Sequence, residues 1–508
     1  VLDLGGEGRG AVREENVFDI QTPVAIALVV RYGEKTEGEG LAQVFYHRLS
    51  GATREQKFAA LKDVQGLGSL RFVEVNPSDP HAPFVPGPTG DYATWPRITR
   101  LFPWRHSGVE FKRTWPIGPT KETLEKRWRK LLKSADKAHL FRESGDRKVS
   151  QEYPAVLGKG KLKAIALLGP NDTPEGYLRY GYRSFDRAWA IVDGRVCSRP
   201  RPPLWRTFGP KQLYLTSLLT KPLGRGPALT ATALVPDRHH FSGRGGKDII
   251  PLYRDKEGRE PNITKGLLKL LEETYGFPVS PEDFAAYVYA LLAQPAFTER
   301  FQEEVRHPPV RVPLTKDPEL FKKGVALGSE LLWLHTYGER YTHVGSWSDF
   351  QGKALWGKAP RAYPESHRYD PGTRTLHVGD GEVKEVSPEV WGYEVSGFRP
   401  LKAWLDYRKK DRRGRKSSPL DGIVPSYWDA DLSRELLELI WVLERTLDLH
   451  PQQEELLEKV LRGPLFTEEE LPTPTPDEEK APGEEPGEAG PGAKGASAEA
   501  VQPLFPTP

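Results

Sequence analysis

The longest unbroken run of aliphatic residues in this chain is the seven-residue stretch 24–30, Val-Ala-Ile-Ala-Leu-Val-Val. That is the length of one buried strand, whereas a membrane-crossing helix needs roughly 18–20 apolar residues. The core must therefore be assembled from many short, separately patterned elements. Across 508 residues, at roughly 100–200 residues per domain, this means two to four domains. No charged-then-apolar leader opens the sequence, so a cytoplasmic protein with no membrane segment is expected. The single cysteine, Cys197, can neither close an internal disulfide nor build a cysteine-based zinc site, and is expected as a small buried apolar side chain. Val1 opens directly in a strand-like Val-Leu-Asp-Leu and methionine is absent throughout. Both features suit a chain truncated at its N-terminus, although a heat-adapted composition would also be poor in methionine.

Residues 1–4, 24–30, 43–48 and 71–75 read as strands, with a helix starting at Thr53. In Thr53-Arg54-Glu55-Gln56 the Thr53 hydroxyl and the Gln56 amide can satisfy each other's orphan backbone N–H groups, after which Phe58, Leu61 and Val64 face inward. This reads as the edge of an α/β layer. Pro, Gly and Asp then accumulate from 76 to 103, beginning with Asn76-Pro77-Ser78-Asp79, and place a boundary near Ser78. A basic helix over Lys121–Lys133 follows, apolar at Leu124, Trp128 and Leu131 with six Lys or Arg residues around the rest. Ser280-Pro281-Glu282-Asp283 starts a helix through 284–292, and Leu436, Ile440, Leu443 and Leu447 keep a helical stripe. Residues 373–378 and 382–386, joined across Gly379-Asp380-Gly381, read as a β-hairpin. The expected class is mixed α/β, in units 1–78, 79–165 (a connector carrying the basic helix), 166–466 and 467–508. The last unit is mostly Pro, Glu, Gly and Ala, buries too little to offset ordering entropy, and is expected to be disordered.

Charge separates along the same line. The stretch 467–508 carries ten acidic residues against Lys480 and Lys494, a net of −8. Since the whole chain is +3, residues 1–466 hold +11, a surplus suited to neutralising phosphates. Three basic–aromatic segments concentrate it: 180–189, 199–206 and 402–416. The third holds eight positive residues against Asp406 and Asp411, with Trp404 and Tyr407 interleaved. Arginine forks suit phosphate oxygens and guanine edges, so Arg183, Arg187, Arg199, Arg201, Lys409, Lys410, Arg412, Arg413, Arg415 and Lys416 are the expected DNA contacts. In the first two segments a packed core with arginines reaching to solvent fits equally well.

Other motifs fit their chemistry poorly. The glycine turn after Asp3-Leu4 resembles a nucleotide or S-adenosylmethionine loop, yet it leads to another strand instead of a helix. Asn76-Pro77-Ser78-Asp79 lacks the second proline and the aromatic of an Asn-Pro-Pro-Tyr amino-methyltransferase loop. Asp370, Glu382 and Lys384 follow the acid–acid–lysine order of a metal-dependent nuclease and remain an alternative. A non-enzymatic scaffold binding RNA or an acidic protein is another. No residue is expected to be catalytic or to bind a metal.

The phrases Val1-Leu-Asp-Leu-Gly-Gly, Glu15-Asn-Val-Phe-Asp-Ile-Gln-Thr-Pro-Val-Ala-Ile-Ala-Leu-Val-Val-Arg31, Tyr182-Arg-Ser-Phe-Asp-Arg187 and Arg413-Gly-Arg-Lys-Ser-Ser-Pro-Leu-Asp421 resemble the C-terminal part of Type ISP restriction–modification enzymes, from Val1 to about Pro472. In that family a nuclease, a helicase-like ATPase, a coupling region, an adenine methyltransferase and a target-recognition domain share one polypeptide. The resemblance implies that 1–78 is the edge of a methyltransferase-like α/β sheet and that 166–466 is an α+β target-recognition domain for double-stranded DNA. The upstream methyltransferase, ATPase and nuclease parts would be its partners. S-adenosylmethionine would serve the intact enzyme, with its site largely outside this chain and no cofactor held within it.

Overall fold

Four short strands open the chain: β1 (Leu2–Gly5), β2 (Val24–Ile26), β3 (Val44–Arg48) and, after helix α1 (Arg54–Lys62), β4 (Val73–Val75). The computed structural model describes residues 1–6, 14–30, 41–75, 84–242, 248–342, 345–410 and 418–483. The sheet order is β2-β1-β3-β4, with β1 parallel to β3 and the outer pairs antiparallel. Thr53 and Gln56 form the reciprocal cap that their spacing requires. The buried residue of α1 is Lys57, however, and Phe58 is exposed. The Lys57 ammonium donates to the carbonyls of Leu4 at 2.7 Å and Glu15 at 2.6 Å and pairs with Glu14 at 2.9 Å. Full pairing is what permits a buried amine. The run 24–30 is a strand only to Ile26, which pairs with Leu2, because β1 offers no further backbone. The expected boundary at Ser78 lies outside the described residues.

Beyond 84 the elements are larger and better buried. Strand β5 (Ile117–Gly118), helix α2 (Lys121–Lys133), β6 (Gly176–Arg183) and β7 (Asp186–Val192) form one layer, ordered β5-β7-β6 in the sheet. Trp104, Trp115 and Trp128 are almost wholly buried here beside Ile191, Leu204 and Cys197. Arg127 is buried too and ties α2 down by donating to the carbonyls of Trp115, Ile117 and Ile423 at 2.9, 2.9 and 3.1 Å. The stretch expected as a connector is therefore core. Three indoles within the 25 residues from Trp104 to Trp128 are too much apolar area to leave in a linker, and each needs surrounding side chains.

A second core gathers around β8 (Tyr214–Thr216), β9 (Thr230–Thr232) and β10 (Ile249–Pro251), with helices α3 (Pro281–Leu292) and α4 (Pro318–His335). Ser280 and Asp283 cap α3 reciprocally, and all its residues from Phe284 to Leu292 are buried. Helix α4 approaches closely at Gly328, where a Cβ would overlap the carbonyl oxygen of Ala286. Strands β11 (Leu355–Lys358), β12 (His367–Asp370), β13 (Thr375–Val378) and β14 (Gly381–Lys384) form an antiparallel sheet in the order β11-β14-β13-β12. Val378 pairs with Gly381 across a two-residue turn, with Gly379 at φ +56°. Helix α5 (Pro400–Asp406) and the long α6 (Ala430–Arg462) close this core. Among the described residues no helix is long and apolar enough to cross a membrane.

The acidic segment, expected to be disordered from Thr467, is docked as far as Gly483. Glu468 pairs with Arg97 at 2.5 Å and Arg311 at 3.0 Å, and Glu470 with Lys316 at 2.5 Å. Arg100 donates to the carbonyls of Leu471 and Pro472, Arg254 to those of Glu478 and Lys480, and Leu471 is buried. Composition alone misled because the ordering partners are arginines on the body, which offset a poor local core. Residues 484–508 lie outside the described residues.

Candidate nucleic-acid interface

The β6–β7 hairpin carries the first basic–aromatic segment, and it faces inward. Arg187 pairs with Glu438 on α6 and stacks over the Tyr337 ring at 3.5 Å. Arg183 lies 2.8 Å from Asp237 and 3.9 Å from the Tyr182 ring centroid. Arg179 meets Glu435 at 2.8 Å, and Arg408, 2% exposed, meets Asp186 at 2.7 Å while covering the Trp404 ring. Arginine and carboxylate alternate, so this buried network is close to neutral. Burial opposes the charge on Arg187, but Tyr337, Glu435 and Glu438 more than offset it and raise its pKa. Arg183 and Arg187, expected at the DNA, thus each cross-link the fold through a carboxylate partner at 16% and 17% side-chain exposure, and that partner competes with a phosphate for the guanidinium.

The second segment differs. Arg199 and Arg238 share the carboxylate of Glu110, at 3.3 and 2.9 Å. Burial raises the Glu110 pKa, but the hydrogen bond and charge of Arg238 and the charge of Arg199 bring it below its ordinary value. Arg201 stands beside them without an ion pair of its own, in the left-handed region at φ 53°. The sequence pointed to Arg199 and Arg201 through local arginine density. Arg238 was missed because it stands alone in its stretch and joins them only through the fold.

In the third segment α5 buries Leu401, Trp404 and Leu405 and then runs out to Lys409 and Lys410. The Lys410 amide donates to the Pro364 carbonyl at 2.9 Å, and its ammonium lies 3.1 Å from Glu365. Lys409 lies 3.2 Å from Asp406, whose carboxyl is held well below its usual range: burial raises it, but bonds from Lys402, His367 and Lys409 win. On the far side Ser418 and Asp421 cap each other, and Asp421 also accepts from the Thr114 hydroxyl at 2.8 Å. The chain is therefore held firmly on both sides of 411–417. Arg412, Arg413, Arg415 and Lys416 lie outside the described residues. Arg368 on β12 and Arg361 in the connection before it are exposed, two further basic side chains that no local run announced.

The nuclease alternative does not assemble. Asp370 on β12 accepts from the Gly372 and Thr373 amides, capping its own turn, while Glu382 and Lys384 pair with each other two strands away. Among the described residues no group of three or more His, Cys, Asp or Glu side chains is placed to hold a metal ion. At the described glycines after β1 the chain fills the space itself: a Cβ on Gly5 would meet the Glu14 carboxylate, and one on Gly6 would meet Asn16, while 7–13 lie outside the described residues.

Residues 100–439 match the family model described as the Type ISP C-terminal specificity domain. Three solved structures share the fold. A nuclease-deletion mutant of the Type ISP restriction–modification enzyme LlaGI, in complex with a DNA substrate mimic, matches with TM-score 0.55 and 18% identity over 89% of this chain and 36% of that one. A DrdV–DNA complex matches with TM-score 0.59 and 18% identity over 91% and 47%. The ATP-dependent Type ISP enzyme LlaBIII bound to DNA matches with TM-score 0.58 and 18% identity over 89% and 31%. This chain thus spans less than half the length of each of those chains. A comparison with curated proteins gave no match.

Proposed function

Because this chain belongs to the family of the Type ISP C-terminal specificity domain, we propose that it selects the DNA sequence on which a restriction–modification enzyme acts. The observation that carries this reading is the reach of the family match, 100–439. That stretch holds the Arg199–Arg201–Arg238 cluster, Lys409, Lys410 and the anchors of the basic segment between them. The partner is duplex DNA, in keeping with the three neighbours, each of which is a complex with DNA or a DNA mimic. Phosphate contacts from these basic residues set register, while base-edge contacts supply the choice of sequence.

The intact enzyme would be an adenine-specific methyltransferase using S-adenosylmethionine, with nuclease and ATPase parts upstream. Its cofactor chemistry would lie elsewhere: at Gly5 and Gly6, the described glycines after β1, the space is taken by Glu14 and Asn16 and does not fit the cofactor. The apolar residues left bare on the N-terminal sheet, Phe18, Ile26, Leu28 and Val29 among them, suit a seam against the rest of such a methyltransferase core. The test is selection from a randomised duplex pool by the pure chain, followed by incubation with labelled S-adenosylmethionine. One enriched sequence without methyl transfer is expected. Binding with no enrichment would overturn the assignment, and methyl transfer would overturn the placement of the chemistry.

A further inference from the structure

We propose that Arg199, Arg201 and Arg238 form a built phosphate site, which takes one backbone phosphate of bound nucleic acid irrespective of sequence. This rests on the reading above and adds to it a residue, Arg238, and a ligand group. The three side chains come from segments locked together by their backbones: Arg199 and Glu110 exchange N–H···O bonds of 2.8 and 3.0 Å, and the Arg238 amide donates to the Val109 carbonyl at 2.8 Å. Arg201 sits between Pro200 and Pro202 in the left-handed region, with φ 53° and ψ 61°, and the Trp205 indole holds Pro200 by a 2.9 Å bond to its carbonyl. A non-glycine residue in that conformation carries a cost, which such a stiff setting sustains.

The cluster is unbalanced. Two other arginines that are buried here have a carboxylate, Arg195 with Asp193 at 2.6 Å and Arg408 with Asp186 at 2.7 Å, and two are met by backbone carbonyls, Arg113 by that of Arg142 and Arg127 by those of Trp115 and Ile117. Among the described residues Arg199 and Arg238 share the one carboxylate of Glu110 and Arg201 pairs with none, leaving two positive charges over. The Nε atoms of Arg201 and Arg238 are both buried and have no hydrogen-bond partner among the described residues. Burial and the neighbouring charges of Arg199 and Arg238 pull the Arg201 pKa below its usual value, and the Glu110 charge offsets them only in part. Buried donors beside unmatched charge are satisfied by an anion with several acceptor oxygens, and guanidiniums from two loop segments held on the 109–110 backbone suit a tetrahedral phosphate better than a flat carboxylate.

The experiment uses the full chain with Arg201→Gln, Arg199→Gln and Glu110→Gln, titrated with salt on the selected duplex and on a scrambled one. Each arginine variant should flatten log affinity against log salt by about 0.9 for a lost contact, equally on both duplexes. Glu110→Gln removes the competing carboxylate and should tighten both. In a second arm, inorganic phosphate should raise the wild-type melting temperature more than chloride at equal ionic strength, and this difference should vanish in Arg201→Gln. An unchanged slope in both arginine variants, or a loss on the selected duplex alone, overturns the site and leaves the DNA-recognition reading standing. Weakening by Glu110→Gln would mark the cluster as a folding element and also overturn it. If wild-type protein binds no duplex but the phosphate effect is present and lost in Arg201→Gln, the recognition reading falls and the anion site stands.

Discussion

The N-terminal sheet and the body that follows it solve the burial problem differently. Residues 1–75 bury two small clusters, Leu4, Val17 and Leu49 in one and Val44, Tyr46 and Val75 in the other, while Val29 is 89% exposed and Leu28 65%. The body buries whole indoles and a helix apolar on every side, and makes even its arginines internal. The exposed aliphatic run suits the proposed seam. The body meets its buried arginines internally, Arg195 and Arg408 with carboxylates and Arg113 and Arg127 with backbone carbonyls, which suits the proposed recognition surface.

Acid should sharpen this contrast most. His240 and His335 are buried in the body with pKa values pushed down to about 3, and His450 to about 4, chiefly by burial. A depressed folded pKa gives stability that is present above the unfolded value of 6.5 and is lost as pH falls toward the folded one. Each histidine contributes a slope of roughly 1.4 kcal/mol per pH unit between about pH 6 and 4, or about 4 for the three together. Denaturant unfolding at stepped pH values should show it, and a flat profile would mean that these imidazoles are solvated. Trp128→Ala in the body should cost about 3–5 kcal/mol. Phe58→Ala, on an exposed face of α1, should cost within about 0.5 kcal/mol; equal losses in the two would break the comparison.

Removing 467–508 should lower the melting temperature clearly, since burial of Leu471 alone is worth about 1.5–3 kcal/mol. Acid should release the same strap: burial raises the Glu468 pKa but bonds from Arg97 bring it below 4.5, so its stabilisation holds above that value and is lost as pH falls through the lower folded one. Proteolysis at neutral and acidic pH would register the release. The smallest stability effect belongs to Lys409→Ala with Lys410→Ala, within about 0.5 kcal/mol. The same pair should still flatten the salt dependence of duplex binding by up to about 1.8 units if both meet phosphates.

What the sequence made legible was local. Thr53 with Gln56, Ser280 with Asp283, the helix Lys121–Lys133 and the turn at Gly379-Asp380 are each decided by neighbours within a few residues, and each stands where its pattern put it. Arg187 could not be assigned that way, because its partner Glu438 lies 251 residues away. The strap failed for the same reason: Arg97 and Glu468 are 371 residues apart. A basic–aromatic run reads alike whether its arginines are spent inside or offered outside, and only the positions of the carboxylates decide. At Glu110 one carboxylate meets two arginines, Arg199 and Arg238, with Arg201 close by, whereas Arg183 and Arg187 each have a carboxylate of their own.

The most direct test of the account divides the molecule at its own contrast. Residues 84–483 alone and the full chain are each presented with the same randomised duplex pool, and the bound sequences are read. The account predicts that both enrich one common sequence with affinities within about twofold, a difference of about 0.4 kcal/mol. Loss of enrichment in the body alone, or a different sequence chosen by it, would contradict the claim that recognition resides there and that the N-terminal sheet is a seam.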